Sequence, residues 1–334
     1  IKTGVDTGMV HLSKVKLFLK SGRYSEMLYE IRKLFVDSKV SFDKKINIIK
    51  SISENKNAEV LIKPYENELI EILNQVHPNE PASILAFAEM EIQKKNFDKA
   101  KDLLYKYISI QHSNYVYEKL IILENNSKNW DAVNSLSYQA ISFYPNTSTF
   151  YFYNAKSFYM LKEFEKAEQM LKNGIPFAVD NHNKTSFYLL FAEIFIEQKK
   201  FQEAFSYYDK YLKIIPDDIR VLNNYSFSLA SNELNLDKAL EMSKKTLEID
   251  PDNYIYNDTY AWVLYMLKDY TQARKYIEFA LSNGGEKDGE VLEHYGDILY
   301  KLNFVDDAVI NWEKAKLNGN ISDKLKEKIN LNKH

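Results

Sequence analysis

Small and apolar residues recur along the chain at the spacing of a helix pair. One column holds six alanines and one valine, separated by gaps of 33 to 37 residues. Its members are Ala100, Val133, Ala167, Ala204, Ala239, Ala273 and Ala308. A fixed period of that size indicates a repeat array in which each repeat is one pair of helices.

Two further columns keep the same period. A mostly small residue lies about twelve positions before each member of the first column, namely Ala88, Ile121, Ala155, Ala192, Ser226, Ala261 and Gly296. Three positions before it lies an apolar residue, namely Phe97, Trp130, Phe164, Phe201, Leu236, Tyr270 and Val305. Paired small residues let antiparallel helices approach closely, and the bulky residue fills the seam near their turn. The pattern predicts an all-α fold with seven helix pairs over residues 81–320.

The columns also predict where the array is regular and where it is not. Turns are expected near Lys95–Asn96, Lys162–Glu163, Lys199–Lys200 and Lys268–Asp269. Ile121 is too large for its small position, so the second pair should be looser. An extra residue falls within 232–235, and the third connection, 173–184, is long and contains Gly174 and Pro176, which predicts a bend there.

The two ends lack this clean period. Within residues 1–80 the apolar spacing predicts helices over 10–20, 24–37, 42–52 and 65–76. Ser41 is placed as an N-cap, and Pro64 and Pro81 as first-turn prolines. This degenerate helical region either caps the array or forms a separate docking module. In residues 321–334, Ser322 should cap a final helix through Leu331 whose lysines solvate the end of the core.

The columns resemble the tetratricopeptide repeat. The stretch from Tyr260-Ala261-Trp262 through Ala273 and Ala280 to Gly285 is similar to its pattern, and so is the stretch from Phe191-Ala192 to Pro216. The resemblance spans about residues 82–320. It implies a right-handed superhelical α-solenoid that exposes a long binding surface.

A finer resemblance lies in the last three repeats. The strings 221–225, 258–265 and 292–297 are similar to those of bacterial envelope members, many of them outer-membrane lipoproteins, and most of all to those of Bacteroidota. That resemblance implies a periplasmic location, possible outer-membrane anchoring and a role in multiprotein assemblies or secretion. A cytoplasmic location is the alternative. Because the sequence opens at Ile1 rather than Met, we expect a trimmed form from which a signal or lipid anchor upstream was removed.

Composition narrows the partner classes. The net charge is −3, and the chain has only four arginines, the residue that best reads bases and phosphates, so we expect no nucleic-acid partner. There is no cysteine, which excludes disulfides and thiolate metal sites. No apolar run is long enough for a transmembrane helix.

The sequence contains no motif that predicts an enzyme. There is no P-loop, dinucleotide fingerprint, HExxH or nucleophile elbow, and the pair Gly284-Gly285 fits a helix end better than a phosphate cradle. Glu293, His294 and Asp297 could form an acid–base cluster, but a structural contact to a neighbouring helix is the favoured interpretation. We predict no enzymatic activity, no cofactor and no metal.

The first helix of each repeat lines the concave groove in the family that the chain resembles. Carried onto this sequence, those positions predict a partner-binding groove formed by Phe152, Tyr153, Lys156, Tyr159, Asn223, Asn224, Phe227, Asp258, Trp262, Tyr265, Glu293 and Asp297. The positions of the family's carboxylate clamp hold Phe152, Lys156, Leu190, Arg220 and Asn224, which match it poorly. Aromatic side chains instead favour an apolar anchor.

Two functions follow from this groove. The favoured one is a binding scaffold that holds a peptide, helix or protein partner. The alternative is a structural subunit that uses its convex face or its ends to build a multiprotein complex. For the scaffold, we expect that truncating Trp262 weakens binding and barely changes stability, because groove positions should lie outside the interhelix seam.

Overall fold

The structure is a computed structural model that describes residues 7–320 and 322–332. Every regular element in these ranges is helical. The chain divides into two compact units between Val179 and Asp180.

The first unit opens with five helices before the regular pairs begin. They are α1 (Thr7–Ser21), α2 (Tyr24–Val36), α3 (Phe42–Ser53), α4 (Lys56–Ile62) and α5 (Glu66–Val76). The short α4 was not predicted. Asn55 caps it, because its side chain accepts a hydrogen bond from the Ala58 amide at 3.2 Å.

Three pairs complete the first unit. They are α6 (Pro81–Gln93) with α7 (Phe97–Ile110), α8 (Asn114–Asn126) with α9 (Trp130–Phe143), and α10 (Ser148–Met160) with α11 (Phe164–Gly174). Helices α8 and α9 contact each other less extensively than the helices of the other two pairs, as the large Ile121 predicts. Ala100, Val133 and Ala167 are fully buried.

The second unit holds four pairs and a final helix. They are α12 (Asn181–Glu197) with α13 (Phe201–Leu212), α14 (Ile219–Ser231) with α15 (Leu236–Ile249), α16 (Tyr254–Met266) with α17 (Tyr270–Ser282), α18 (Gly289–Lys301) with α19 (Val305–Leu317), and α20 (Asp323–Asn332). The four column alanines of this unit are fully buried. The predicted all-α fold of seven helix pairs is therefore confirmed.

The turns within the pairs have a shared backbone conformation. All four predicted turns are present. The second residue after the first helix has a positive φ between 56° and 67° in six pairs, at Lys95, Lys128, Lys162, Lys199, Lys268 and Asn303. This left-handed residue lets the next amides bond back to the helix. Lys268 N–H donates to the Tyr265 carbonyl, and Asp269 N–H donates to the Leu264 carbonyl, both at 2.9 Å.

The extra residue after α14 changes this turn. Both Glu233 and Asn235 there have positive φ values, of 53° and 42°. The connection after α11 is shorter than predicted, because a 3₁₀ turn over Ile175–Phe177 follows directly and α12 already begins at Asn181. Asp180 caps that helix by accepting from the Asn183 amide at 2.8 Å.

The predicted caps are partly confirmed. Ser322 accepts a hydrogen bond from the Leu325 amide at 3.1 Å, and Pro81 is the first residue of α6. Ser41 precedes α3 in an extended conformation, but its side chain makes no capping bond. Pro64 lies in a 3₁₀ turn before α5 rather than in the first turn of that helix.

Candidate partner-binding site

In the first unit, α10 carries the four predicted groove residues Phe152, Tyr153, Lys156 and Tyr159, and all four are half-buried. Phe152 and Tyr153 pack edge to face with their centroids 5.6 Å apart. Tyr153 also packs against the buried core of this unit, and burial raises its pKa. Tyr153 therefore contributes to the core of this unit as well as to its aromatic surface.

In the second unit, the three residues predicted on α14 differ in exposure. Asn223 is buried, Phe227 is half-buried and Asn224 is exposed. The Phe227 ring lies 6.0 Å from the His294 ring of α18. Asn224 is thus the one exposed member of this group.

A buried hydrogen bond joins the first helices of the last two pairs. His294 Nδ1 on α18 lies 2.8 Å from Asp258 Oδ1 on α16, and both residues are less than 9% exposed. Burial by itself would lower the pKa of His294, but the carboxylates of Asp258, Glu290 and Asp297 raise it. Asp258 was predicted as a groove residue, yet its carboxylate is engaged internally.

Trp262 lies between two other rings. Its indole stacks on Tyr265 with centroids 4.8 Å apart and on His294 at 4.1 Å. Its Nε1–H donates to Ser231 Oγ at 3.1 Å. These contacts connect α16 to α14 and α18. Trp262 therefore takes part in packing between successive pairs, which the expectation of little effect on stability did not include.

The acidic end of the predicted groove is paired with the final helix. Lys328 Nζ on α20 donates to Glu293 Oε1 at 2.6 Å and to Asp297 Oδ2 at 2.7 Å. Trp312 Nε1–H donates to the other oxygen of Asp297 at 3.0 Å. Burial raises the pKa of Asp297, and Lys328 opposes that rise.

The sequence predicted that the lysines of the final helix solvate the end of the core. Lys328 instead forms ion pairs with Glu293 and Asp297. Each side chain of the cluster of Glu293, His294 and Asp297 bonds to a neighbouring helix, which is the contact that the favoured interpretation predicted.

These side chains surround an open cavity of about 790 Å³, which we call the C-terminal cavity. Four predicted groove residues line it, namely Trp262, Tyr265, Glu293 and Asp297. Its other lining residues are Glu233, Met266, Gly289, Glu290, His294, Asn318, Gly319, Asn320, Lys324 and Lys328. Sequence reasoning missed the contribution of Glu233, of the segment 318–320 and of α20.

The missed residues carry little local signal. Asn320 Nδ2 donates to Glu293 Oε2 at 2.5 Å across 27 positions, and Lys328 is 31 positions from Asp297. The periodic columns do not extend to these positions. In the described part of the chain, no cluster of three or more His, Asp or Glu residues could hold a metal ion.

A second cavity, of about 460 Å³, lies in the N-terminal helices. Its walls are mainly apolar and come from α2 to α6, with Ile46, Ile49, Ile62 and Leu69 among them. Glu59, Lys63 and Glu66 are its charged members. This cavity lies outside the predicted groove.

A scan with models of protein families gives no match to this chain, and a search of curated proteins gives none either. Solved structures do match. A tetratricopeptide repeat protein from Parabacteroides merdae is 16% identical with a TM-score of 0.57, over 75% of this chain and 98% of that one. The C-terminal part of such a protein from Cytophaga hutchinsonii is 17% identical with a TM-score of 0.56, over 73% of this chain and 99% of that one.

The chain has the tetratricopeptide-repeat fold. The Cut9–Hcn1 hetero-tetramer of the APC/C gives a further match, with 11% identity and a TM-score of 0.52 over 97% of this chain and 69% of that one. Tetratricopeptide folds are typically non-catalytic scaffolds for protein–protein interaction. No helix in the described ranges is long and apolar enough to cross a membrane.

Proposed function

We propose that this tetratricopeptide chain is a non-enzymatic scaffold that holds a segment of a protein partner in the C-terminal cavity. The observation that carries the proposal is the cavity itself. It combines half-buried Trp262, Tyr265 and Met266 with polar side chains from α18 and α20. Aromatic and methionine side chains give a large contact area at a low entropic cost, which suits recognition of a partner segment.

The chemistry of the walls favours binding over catalysis. Three of its acid–base groups make internal contacts: His294 bonds to Asp258, and Glu293 and Asp297 bond to Lys328. The lining residues include no serine, threonine or cysteine, which are common enzyme nucleophiles.

We place this scaffold in a bacterial cell-envelope assembly or secretion complex, in the periplasm and anchored to the outer membrane by a lipid upstream of the sequence. The support is the resemblance of the strings in the last three repeats to envelope members. A cytoplasmic scaffold is the alternative. Fractionation of the native organism with an antibody against the chain distinguishes the two, since recovery in the cytoplasmic fraction would contradict the envelope proposal.

Site-specific photo-cross-linking in the native organism tests the binding site. A photo-reactive phenylalanine analogue replaces Met266 in the cavity, and a matched control places it at Tyr138 on α9, a side chain that is 71% exposed. We expect a discrete protein adduct from position 266 and none from position 138. Adducts from position 138 alone would favour the alternative, a structural subunit that binds through its outer face.

A further inference from the structure

The C-terminal cavity has an excess of negative charge that its own lysines do not neutralise. Four carboxylates line it, from Glu233, Glu290, Glu293 and Asp297, against two lysines. Lys328 is shared between Glu293 and Asp297. Within the described residues, Glu233 and Glu290 take part in no ion pair.

Glu290 lies at the start of α18, on the wall beside His294. Loss of surrounding water raises the pKa of Glu290, and the carboxylates of Asp258, Asp288 and Glu293 raise it further against the opposing effect of His294. A nearby cation would favour its ionised form.

His294 provides a second and independent polar group. It is only 6% exposed, and its Nδ1–H donates to Asp258. Nε2, on the opposite edge of the ring, makes no hydrogen bond to any described residue, although the ring forms part of the cavity wall. A nitrogen held in this way is ready to accept from an ammonium group when the ring is neutral, or to donate to a carbonyl when it is protonated.

The same wall already binds an ammonium group from within the chain. Lys328 Nζ lies 2.6 Å from one carboxylate and 2.7 Å from another, and its side chain passes the Trp312 ring at 5.9 Å. Carboxylates beside aromatic rings are the surroundings that favour a cation. Lys324, and His294 when its ring is protonated, oppose this preference.

We propose that the C-terminal cavity is a subsite for a cationic side chain, a lysine or an arginine, of the partner segment. Glu290 accepts hydrogen bonds from the cation, and His294 Nε2 provides a further contact to the same residue. This inference rests on the proposed function, because the cation is taken to belong to the captured protein.

A titration with small probes tests the subsite without the partner. The probes are N-acetyl-lysine methylamide, its uncharged analogue N-acetyl-norleucine methylamide, and N-acetyl-glutamate methylamide, added to the full chain. Binding is followed by NMR through the Trp262 indole and His294 imidazole signals. We expect the lysine probe to shift both signals, and the other two probes to bind at least about tenfold more weakly, as loss of a charged hydrogen bond implies.

Matched variants locate the contact. Glu290→Gln should weaken binding of the lysine probe about tenfold, since it removes the charge and keeps the shape. Glu286→Gln, in the 3₁₀ turn before α18 and outside the cavity lining, should leave the affinity unchanged. Equal binding of the lysine and norleucine probes, tighter binding of the glutamate probe, or an unaffected Glu290→Gln variant would overturn the inference.

The two proposals fail separately. If position 266 gives a protein adduct but the titration shows no preference for the lysine probe, the scaffold proposal is supported and the cation subsite is contradicted. Selective binding of the lysine probe without any protein adduct would show that the cavity binds a cation, but it would contradict the scaffold and the assignment of that cation to a protein partner.

Discussion

The imidazole of His294 faces the carboxylate of Asp258 across two successive helix pairs, with 2.8 Å between Nδ1 and Oδ1. The two residues are 36 positions apart in sequence, close to one repeat. Because both are buried, their contact fixes α18 against α16. It also orients the ring that forms a wall of the C-terminal cavity.

We predict that Asp258→Asn destabilises the second unit in a pH-dependent way. The pKa of His294 is raised in the folded chain, so the stabilising contact is fully present below the unfolded value of about 6.5 and is lost as pH rises through the folded value. The free energy of unfolding of the variant should be about 1.5–3 kcal/mol lower than that of the wild type at low pH, and the difference should be smaller at high pH. Urea unfolding monitored by tryptophan fluorescence measures this difference, and an equal loss at all pH values would contradict it.

Trp262→Ala should destabilise the second unit as well as weaken partner binding. It removes two ring stacks and the hydrogen bond to Ser231. Each aromatic pair contributes about 0.5–1.5 kcal/mol beyond its buried area, so the loss should exceed about 1 kcal/mol. Tyr138→Ala is the control, since that exposed ring should have almost no effect. An unchanged melting temperature for Trp262→Ala would show that the stacks contribute little.

Lys45 should make the stability of the N-terminal helices rise at alkaline pH. Its ammonium is fully buried and donates to the Phe35 carbonyl, and it lies 2.8 Å from His77 Nε2. Burial lowers its pKa to about 8, against the opposing effect of Asp37. The folded chain therefore releases this proton before the unfolded chain does, and stability increases between that pH and about 10.4.

Lys45→Met removes this charge and should abolish that rise. Hydrogen exchange of α2, α3 and α5, corrected for the intrinsic pH dependence of exchange, measures it. If the variant keeps the full increase in stability with pH, other groups cause it.

Lys268→Gly should stabilise the sixth pair, although glycine usually weakens helical structure. Lys268 has a φ of 67°, a left-handed conformation that costs a side-chain-bearing residue about 1–2 kcal/mol. The entropy of glycine in the unfolded chain offsets about 0.5–1 kcal/mol of the gain. Lys275→Gly, within α17, should instead cost about 1 kcal/mol. In thermal unfolding, Lys268→Gly should raise the melting temperature and Lys275→Gly should lower it. A change of the same sign in both variants would contradict the argument.

Ala261→Leu should disrupt the contact between α16 and α17. Ala261 is fully buried and belongs to one apolar cluster with Ala273 and Ile277. Overpacking such a contact costs about 1–3 kcal/mol, and the damage should remain within this pair and its neighbours. Ala82→Leu, at an exposed position of α6, is the control. Hydrogen exchange should be faster mainly in α14 to α19, and identical rates in the wild type and the variant would contradict the placement of Ala261.

The sequence by itself determined the helix pairs. The columns of small residues fix which faces of two antiparallel helices can meet, and the turn within each of the seven pairs contains at least one left-handed residue. Local signals also located the cap at Ser322 and the start of α6 at Pro81. These features depend on residues close together in sequence or on a period that repeats seven times.

Only the tertiary structure decided which groove residues remain available to a partner. The sequence placed Asp258, Asp297 and Trp262 on the correct helices. Their contacts to other helices, however, involve residues 15 to 36 positions away. Lys328 could not be assigned to Glu293 from its own helix, because that pairing depends on how α20 packs against α19 through Leu325 and Ile329. A repeat pattern specifies the face on which a side chain lies, whereas its partners are set by the packing of neighbouring helices.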